Sequence, residues 1–107
     1  MLFKSIQKRL LFSVNLVALA LSISACAMIA PPVQEMSNAR QSIKAAKQAN
    51  AEKFATNVLA EAKQRLRSAM RELDAGEYER ARRLALEAKH LALKARQLSE
   101  TGNNKAD

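Results

Sequence analysis

Few side chains in this sequence could do covalent chemistry, and Cys26 is the most informative of them. It is the only cysteine of the chain, and it follows Ile23, Ser24 and Ala25, an aliphatic residue and two small ones. A thiol can take up a lipid, and a peptidase that cuts just before it needs small side chains there. This order resembles the lipobox of bacterial lipoproteins. We therefore expect cleavage between Ala25 and Cys26, and a diacylglycerol and an N-acyl chain on Cys26.

The segment before Cys26 has the plan of a secretory signal peptide. Its first nine residues carry three bases and no acid, and an apolar stretch over residues 10–25 follows. The bases are Lys4, Lys8 and Arg9. A positive start, an apolar centre and small residues at the end are typical of such peptides. We predict a lipoprotein signal peptide over residues 1–25 and export of the remainder.

Two other interpretations of this segment stay open. Ala25-Cys26-Ala27 also fits the A-x-A site of an ordinary signal peptide. Residues 10–30 are also about as long as a membrane-spanning helix. Within the lipoprotein interpretation, an Asp directly after the cysteine would resemble a retention signal for the inner membrane of Gram-negative bacteria. Because Ala27 occupies that position, we expect a lipid-anchored protein at the outer membrane, facing the periplasm.

The remainder of the chain has a helical pattern after a short spacer. Pro31 and Pro32 stiffen the spacer, residues 26–32. Apolar residues then recur at steps of three and four, which is typical of helices. The predicted helices lie near 33–49, 56–75 and 77–100, and a frayed tail covers 101–107. Gly76 suits the position just past a helix C-terminus, and the short loop there makes the second and third helices antiparallel neighbours.

The predicted fold class is all-α. A signal helix precedes an antiparallel helical hairpin or a three-helix arrangement, and the pattern leaves open whether the helix near 33–49 packs on the hairpin. Small and large residues alternate along the expected packing face of the third helix. This face contains Ala81, Leu84, Ala88, Leu91, Ala95 and Leu98. Alanines on such a face allow helix backbones to approach closely.

Basic residues outnumber acidic ones, and the formal net charge is +8. Several bases stand beside an alanine of a packing face, and others repeat every four residues along the second helix. The candidate basic face contains Lys63, Arg67, Arg71, Arg82, Lys89 and Arg96. Its ordinary interpretation is a solvated surface whose long side chains cover the packing face. The alternative is a surface for an anionic partner, such as lipid headgroups, lipopolysaccharide or a cell-wall polymer.

A second stripe lies off the main packing face of the third helix. Leu86, His90 and Leu93 follow one another at steps of four and three. The ordinary interpretation is a wide core face that receives the first helix. The alternative is a docking stripe for a partner protein or another copy of the chain. We expect no metal site, because His90 is the only histidine and has no cysteine near it.

Three stretches carry a resemblance to a known family. They are Pro31-Pro32-Val33, Leu59…Ala62-Lys63…Leu66…Ala69 and Ala75-Gly76-Glu77-Tyr78…Ala81-Arg82. They resemble a bacterial lipoprotein family catalogued only as a domain of unknown function, DUF4398. The resemblance covers nearly all of residues 26–100 and implies a small, alanine-rich helical envelope lipoprotein. The family has no agreed activity, so no functional residue carries over. The turn at Gly76 also resembles one unit of a tetratricopeptide repeat.

The sequence favours a binding or structural protein over an enzyme. No nucleophile stands with a base, and neither a glycine-rich phosphate loop nor a metal-ligand cluster is present. We expect no cofactor beyond the lipid on Cys26, and export argues against a nucleic-acid partner. Our leading hypothesis is an anchored module that contacts an envelope protein or itself. The alternatives are binding to an anionic wall polymer or lipopolysaccharide, and a self-associating coiled-coil spacer.

Overall fold

The structure, a computed structural model, describes the backbone of residues 2–27 and 30–106 and the side chains of residues 2–19 and 30–105. The chain forms two compact units, Met1–Ala30 and Pro31–Asp107. The first unit contains one helix, α1 (Leu2–Ala27), whose described apolar side chains are exposed. Among the described residues, no helix combines the length and the apolar character that a bilayer crossing requires.

The second unit consists of helices throughout its described part. They are α2 (Val33–Gln48), α3 (Ala51–Phe54), α4 (Thr56–Asp74) and α5 (Tyr78–Ala106). The described residues contain no strand, so the all-α prediction is confirmed. Pro32 is buried at the start of α2, and its carbonyl accepts the first helical hydrogen bond from Met36 N at 3.1 Å. Its fixed φ and missing N–H are compatible with a helix start.

Ion pairs and a cap define the directions of the long helices. Arg65 of α4 lies 3.4 Å from Glu87 of α5, and Arg80 near the start of α5 lies 3.7 Å from Glu72 near the end of α4. Therefore α4 and α5 are antiparallel. At the start of α2, Glu35 lies 3.0 Å from Arg82 of α5.

The other end of α2 also meets α5, so these two helices are parallel. Asn103 Nδ2 of α5 donates to the carbonyl of Ala49, directly after α2, at 3.0 Å. The helix near 33–49 therefore packs on the hairpin along its full length, which answers the question that the sequence left open. The second unit is an up-down-up arrangement of three long helices with α3 at one corner.

Small side chains form the buried seam of α5. The seam contains Ala81, Ala85, Ala88, Ala92, Ala95 and Ser99, all 0% exposed. The predicted packing face was wrong in part, because Leu84 and Leu91 are only half-buried and Leu98 is 44% exposed. With two helices packed against α5, only the smallest residues fit on the line of closest approach. The leucines flank that line, where larger side chains have room.

Two buried clusters fill the space between the three helices. The larger one joins Ile43 and Ala46 of α2 to Leu59 of α4 and to Ala92 and Ala95 of α5. The smaller one joins Met36, Ala69 and Ala85, one residue from each long helix. Ser99, the only buried polar residue among those with described side chains, donates to Ala95 O at 2.7 Å, so its hydroxyl is satisfied inside its own helix.

Gly76 closes α4 as the sequence predicts. It has φ +78°, a left-handed conformation that favours glycine. Gly76 N donates to Leu73 O at 3.0 Å, and Glu77 N donates to Glu72 O at 2.9 Å. These two hydrogen bonds make a Schellman motif, which satisfies the last carbonyls of α4. Asn50, with φ 65°, ends α2 in the same left-handed region.

The C-terminal segment is part of the fold, so the predicted frayed tail was wrong for its described residues. The last helix continues to Ala106, beyond the expected end near residue 100. Asn103 binds the end of α2, and Gly102 lies directly under the ring of Phe54. A Cβ on Gly102 would come within 2.6 Å of Phe54 Cδ1 and 3.2 Å of its Cβ. Glycine is therefore required here for close approach, whereas the sequence indicated a helix end.

We expect Gly102→Ala to destabilise the domain although alanine favours helix. Overpacking costs about 1–3 kcal/mol, whereas the gain in helix propensity is about 1 kcal/mol. Urea denaturation followed by circular dichroism measures the difference. In a Phe54→Ala background the cost of the same change should be smaller, because the ring is gone and only the Cβ of residue 54 remains, 3.2 Å away. If Gly102→Ala changes the free energy of unfolding equally in both backgrounds, Gly102 does not pack against the Phe54 ring.

We expect Ala88→Leu in the α5 seam to lower the free energy of unfolding by about 1–3 kcal/mol, because the site is fully enclosed. Ala60→Leu on the exposed surface of α4 is the matched control and should stay within about 0.5 kcal/mol of the parent. Thermal and urea unfolding measure both variants. If Ala88→Leu is as stable as the control, the seam is not tightly packed.

Candidate functional site

Cys26 and its neighbours lie at the end of α1. The backbones of Ala25 and Cys26 belong to this helix, whereas their side chains lie outside the described part of the structure. The second compact unit begins at Pro31. The predicted lipidation and cleavage site therefore precedes the second unit by a few residues of chain.

The candidate basic face is divided between different helix flanks and is not one continuous surface. Arg65 and Glu72 lie on the flank of α4 that meets α5. Lys63 and Arg67 each lie two residues from Arg65, about 160° around the helix, so they cannot share that flank. On α5, Arg82 marks the flank that meets α2. Lys89 and Arg96 follow it at steps of seven and share that flank.

Most bases of this candidate face already have polar partners. Lys63 Nζ lies 3.7 Å from Glu52, and Arg96 donates to Glu100 at 2.8 Å. Arg71 donates to the hydroxyl of Ser68 at 3.0 Å. Within the described part of the chain, Arg67 and Lys89 make no ion pair. The face therefore contains bases that bind neighbouring side chains and bases that make no ion pair among the described residues. The spacing in the sequence could not distinguish these two groups.

Arg82 is a structural residue. Its guanidinium binds Glu35 of α2 and Glu79 one turn earlier in α5, and its side chain is only 24% exposed. The Glu35 carboxylate is similarly shielded at 28%. A half-buried pair between two helices is better placed to hold them together than to bind an external ligand.

The stripe of Leu86, His90 and Leu93 lies on the outer side of α5. Leu86 is 41% and Leu93 is 42% exposed, and His90 is exposed as well. The interpretation of this stripe as the core face that receives α2 was wrong, because α2 packs against the small-residue seam. Its leucines are accordingly available for contact with another molecule. The described residues contain no group of three or more His, Cys, Asp or Glu side chains arranged to hold a metal ion.

The sequence did not predict the contacts that the C-terminal end of α5 makes with α3 and with the end of α2. Asn103 caps the end of α2, its Oδ1 accepts from Asn50 Nδ2 at 3.5 Å, and Gly102 accommodates Phe54. Glycine followed by asparagine normally indicates the end of a helix. The structural roles of Gly102 and Asn103 become visible only once the positions of α3 and of the end of α2 are known.

One family model matches the chain, that of Domain of unknown function (DUF4398), over residues 34–107. The chain belongs to this family. The match begins one residue inside α2 and continues through α3, α4 and α5, so the DUF4398 region coincides with the second compact unit. The resemblance to DUF4398 is confirmed for the helical region, residues 34–107. No curated protein and no solved structure gives a significant match.

We expect Arg82→Gln to lower the free energy of unfolding by about 1 kcal/mol, because it leaves the shielded Glu35 carboxylate without its partner. Arg83→Gln is the matched control, because Arg83 is an exposed neighbour without an ion pair among the described residues. It should stay within about 0.5 kcal/mol of the parent. Urea denaturation compares the two, and equal stabilities would show that the pair contributes nothing.

Proposed function

We propose that this DUF4398 protein is a non-enzymatic lipoprotein of the bacterial envelope, whose helical domain is a structural or protein-interaction module. One observation supports it above the others: the boundary between the two compact units follows Cys26 by four residues. Cleavage before Cys26 would remove most of the first unit and leave every element of the second in place. A leader followed by an independent domain is what lipoprotein processing requires.

Acylation would supply the membrane anchor. One acyl chain gives marginal, reversible binding, whereas the two or three chains of a processed lipoprotein give stable anchoring. Cleavage would also remove Lys4, Lys8 and Arg9 with the leader, which lowers the formal net charge of +8 by three. The anchored protein would face the periplasm from the outer membrane, in agreement with Ala27 after the cysteine.

The arrangement of the domain suits a binding role. Its long helices present their surfaces to solvent, and none of the buried side-chain polar atoms of the described residues lacks a hydrogen-bond partner. His90 makes no hydrogen bond among the described residues and lies between two exposed leucines. A general base is normally oriented by a hydrogen-bonded neighbour, so this placement favours a contact surface.

The outer stripe of α5 is the surface we assign to a protein partner. Leu86 and Leu93 lie seven residues apart on one side of a helix of 29 residues. Apolar residues at this spacing fit a second helix. The partner would be another envelope protein or a second copy of the chain, and self-association would make the domain a coiled-coil spacer.

The proposal predicts the mass of the protein isolated from a membrane fraction. We expect residues 26–107 with a diacylglycerol and an N-acyl chain on Cys26. Intact-mass spectrometry measures this directly. Cys26→Ser should abolish both the acyl mass and the cleavage, because the modification requires the thiol.

The control for this experiment is Ser24→Ala, which keeps a small residue before the cysteine and should be processed like the parent. An unmodified mass that begins at Met1 or after Ala27 would contradict the proposal. The first would indicate an uncleaved segment, and the second an ordinary signal peptide.

A further inference from the structure

The surface of α2 that faces away from α5 carries bases without acid partners. Arg40, Lys44 and Lys47 are exposed, and none of them makes an ion pair among the described residues. They follow Val33 at steps of seven, four and three, so all four residues lie on one side of the helix. Glu35, the only acid of α2, is five residues from Arg40, about 140° around the helix, where it binds α5.

A matching stripe lies on α4. Lys63, Arg67 and Met70 follow one another at steps of four and three, on the flank opposite the residues that pair with α5. Lys63 and Arg67 also line one open surface depression with Thr56 and Leu59. Because α2 and α4 contact each other through both buried clusters, their outer flanks adjoin.

These two stripes make one amphipathic surface, the α2–α4 basic surface. It contains Val33, Arg40, Lys44, Lys47, Lys63, Arg67 and Met70. Two acids accompany the five bases: Glu52, which lies 3.7 Å from Lys63, and Asp74, at the C-terminal end of the α4 stripe. Val33 and Met70 are 68% and 42% exposed, and both lie toward the Pro32 end of the domain. Bases therefore cover most of the surface, and apolar residues cover the end that joins the leader.

We propose that the α2–α4 basic surface docks on anionic lipid headgroups of the membrane that carries the protein. This inference rests on the proposed function, since acylated Cys26 would hold the domain at a membrane. Cys26 precedes Pro31 by five residues, so the connection spans at most about 18 Å. At this distance lysine and arginine side chains interact with a charged membrane surface, where each gains about fivefold in binding.

The shape of the surface favours a membrane over a compact ligand. From Val33 to Lys47 the stripe extends over fifteen residues of helix, about 21 Å. Long flexible side chains spread along two helices match a plane of negative charge better than a single anionic group. Exposed Val33 and Met70 can enter the headgroup region, as the apolar residues of interfacial helices do.

A tryptophan reporter tests the docking in the full acylated chain. The chain has no Trp, so Met70→Trp gives one signal from the surface and Leu93→Trp gives one from the opposite side of the domain. Each protein is reconstituted into phosphatidylcholine vesicles with or without phosphatidylglycerol. We expect phosphatidylglycerol to shift the emission to the blue and to protect it from quencher only for Met70→Trp, whereas any contact of Leu93→Trp with a protein partner would not depend on this lipid. About 1 M salt should remove the shift, because the screening length falls to about 3 Å.

Charge variants identify the residues responsible. Arg40→Gln, Lys44→Gln and Lys47→Gln together should lower the docking equilibrium constant about 100-fold. The matched control removes three exposed bases of α5 with Arg83→Gln, Lys94→Gln and Lys105→Gln, and should retain the shift. Circular dichroism verifies that both triple variants fold. Equal loss in the two triple variants would overturn the assignment of this surface.

Two further results would overturn the inference. The first is an unshifted Met70→Trp in an acylated protein, and the second is a shift that occurs equally without phosphatidylglycerol. A response to added soluble lipopolysaccharide or wall polymer, but not to vesicles, would assign the surface to a polymer instead. The intact mass of the same sample separates the two proposals: missing acyl groups contradict the lipoprotein, whereas an acylated chain that does not dock contradicts only this inference.

Discussion

The close approach of α2 and α4 to the same seam of α5 is the constraint on which the rest of the domain depends. Alanines and one serine occupy this seam, and each is fully buried. Small residues bring backbones together but bury little apolar area individually, so packing alone supplies a modest driving force. The domain adds specific contacts at its two ends: the pair of Glu35 with Arg82 near one, and the packing of Phe54 on Gly102 at the other.

The same constraint explains which features could be predicted from the sequence. Periodicity gave the all-α class and three long helices, and Gly76 marked their main turn, because these are local properties of the chain. Periodicity also suggested Leu84 and Leu91 for the seam, since large apolar residues normally indicate a core. The line of closest approach selects the smallest residues instead. The role of Gly102 could not be predicted, because it depends on Phe54, which lies far away in the sequence.

The assignment of bases failed for a related reason. The spacing of residues determines their angular position around the helix axis. Whether a residue at that position faces another helix or solvent depends on how the helices pack. Arg82 shares a spacing with Lys89 and Arg96, yet it faces Glu35 and holds two helices together. The bases of α2 were not included in the candidate basic face, yet the structure leaves them exposed. The surface that we propose for anionic lipid thus depends on the position of α2, which the sequence left undecided.

A seam shared by three helices requires that α2 belongs to the same cooperative unit as α4 and α5. Native-state hydrogen exchange of the full chain tests this most directly, because it measures opening free energies helix by helix. We predict that the amides in the middle of α2 open with the same free energy as those in the middle of α5. If α2 opens at a much lower free energy while α4 and α5 stay protected, the shared seam does not hold the three helices together. The α2–α4 basic surface would then not exist as a fixed surface.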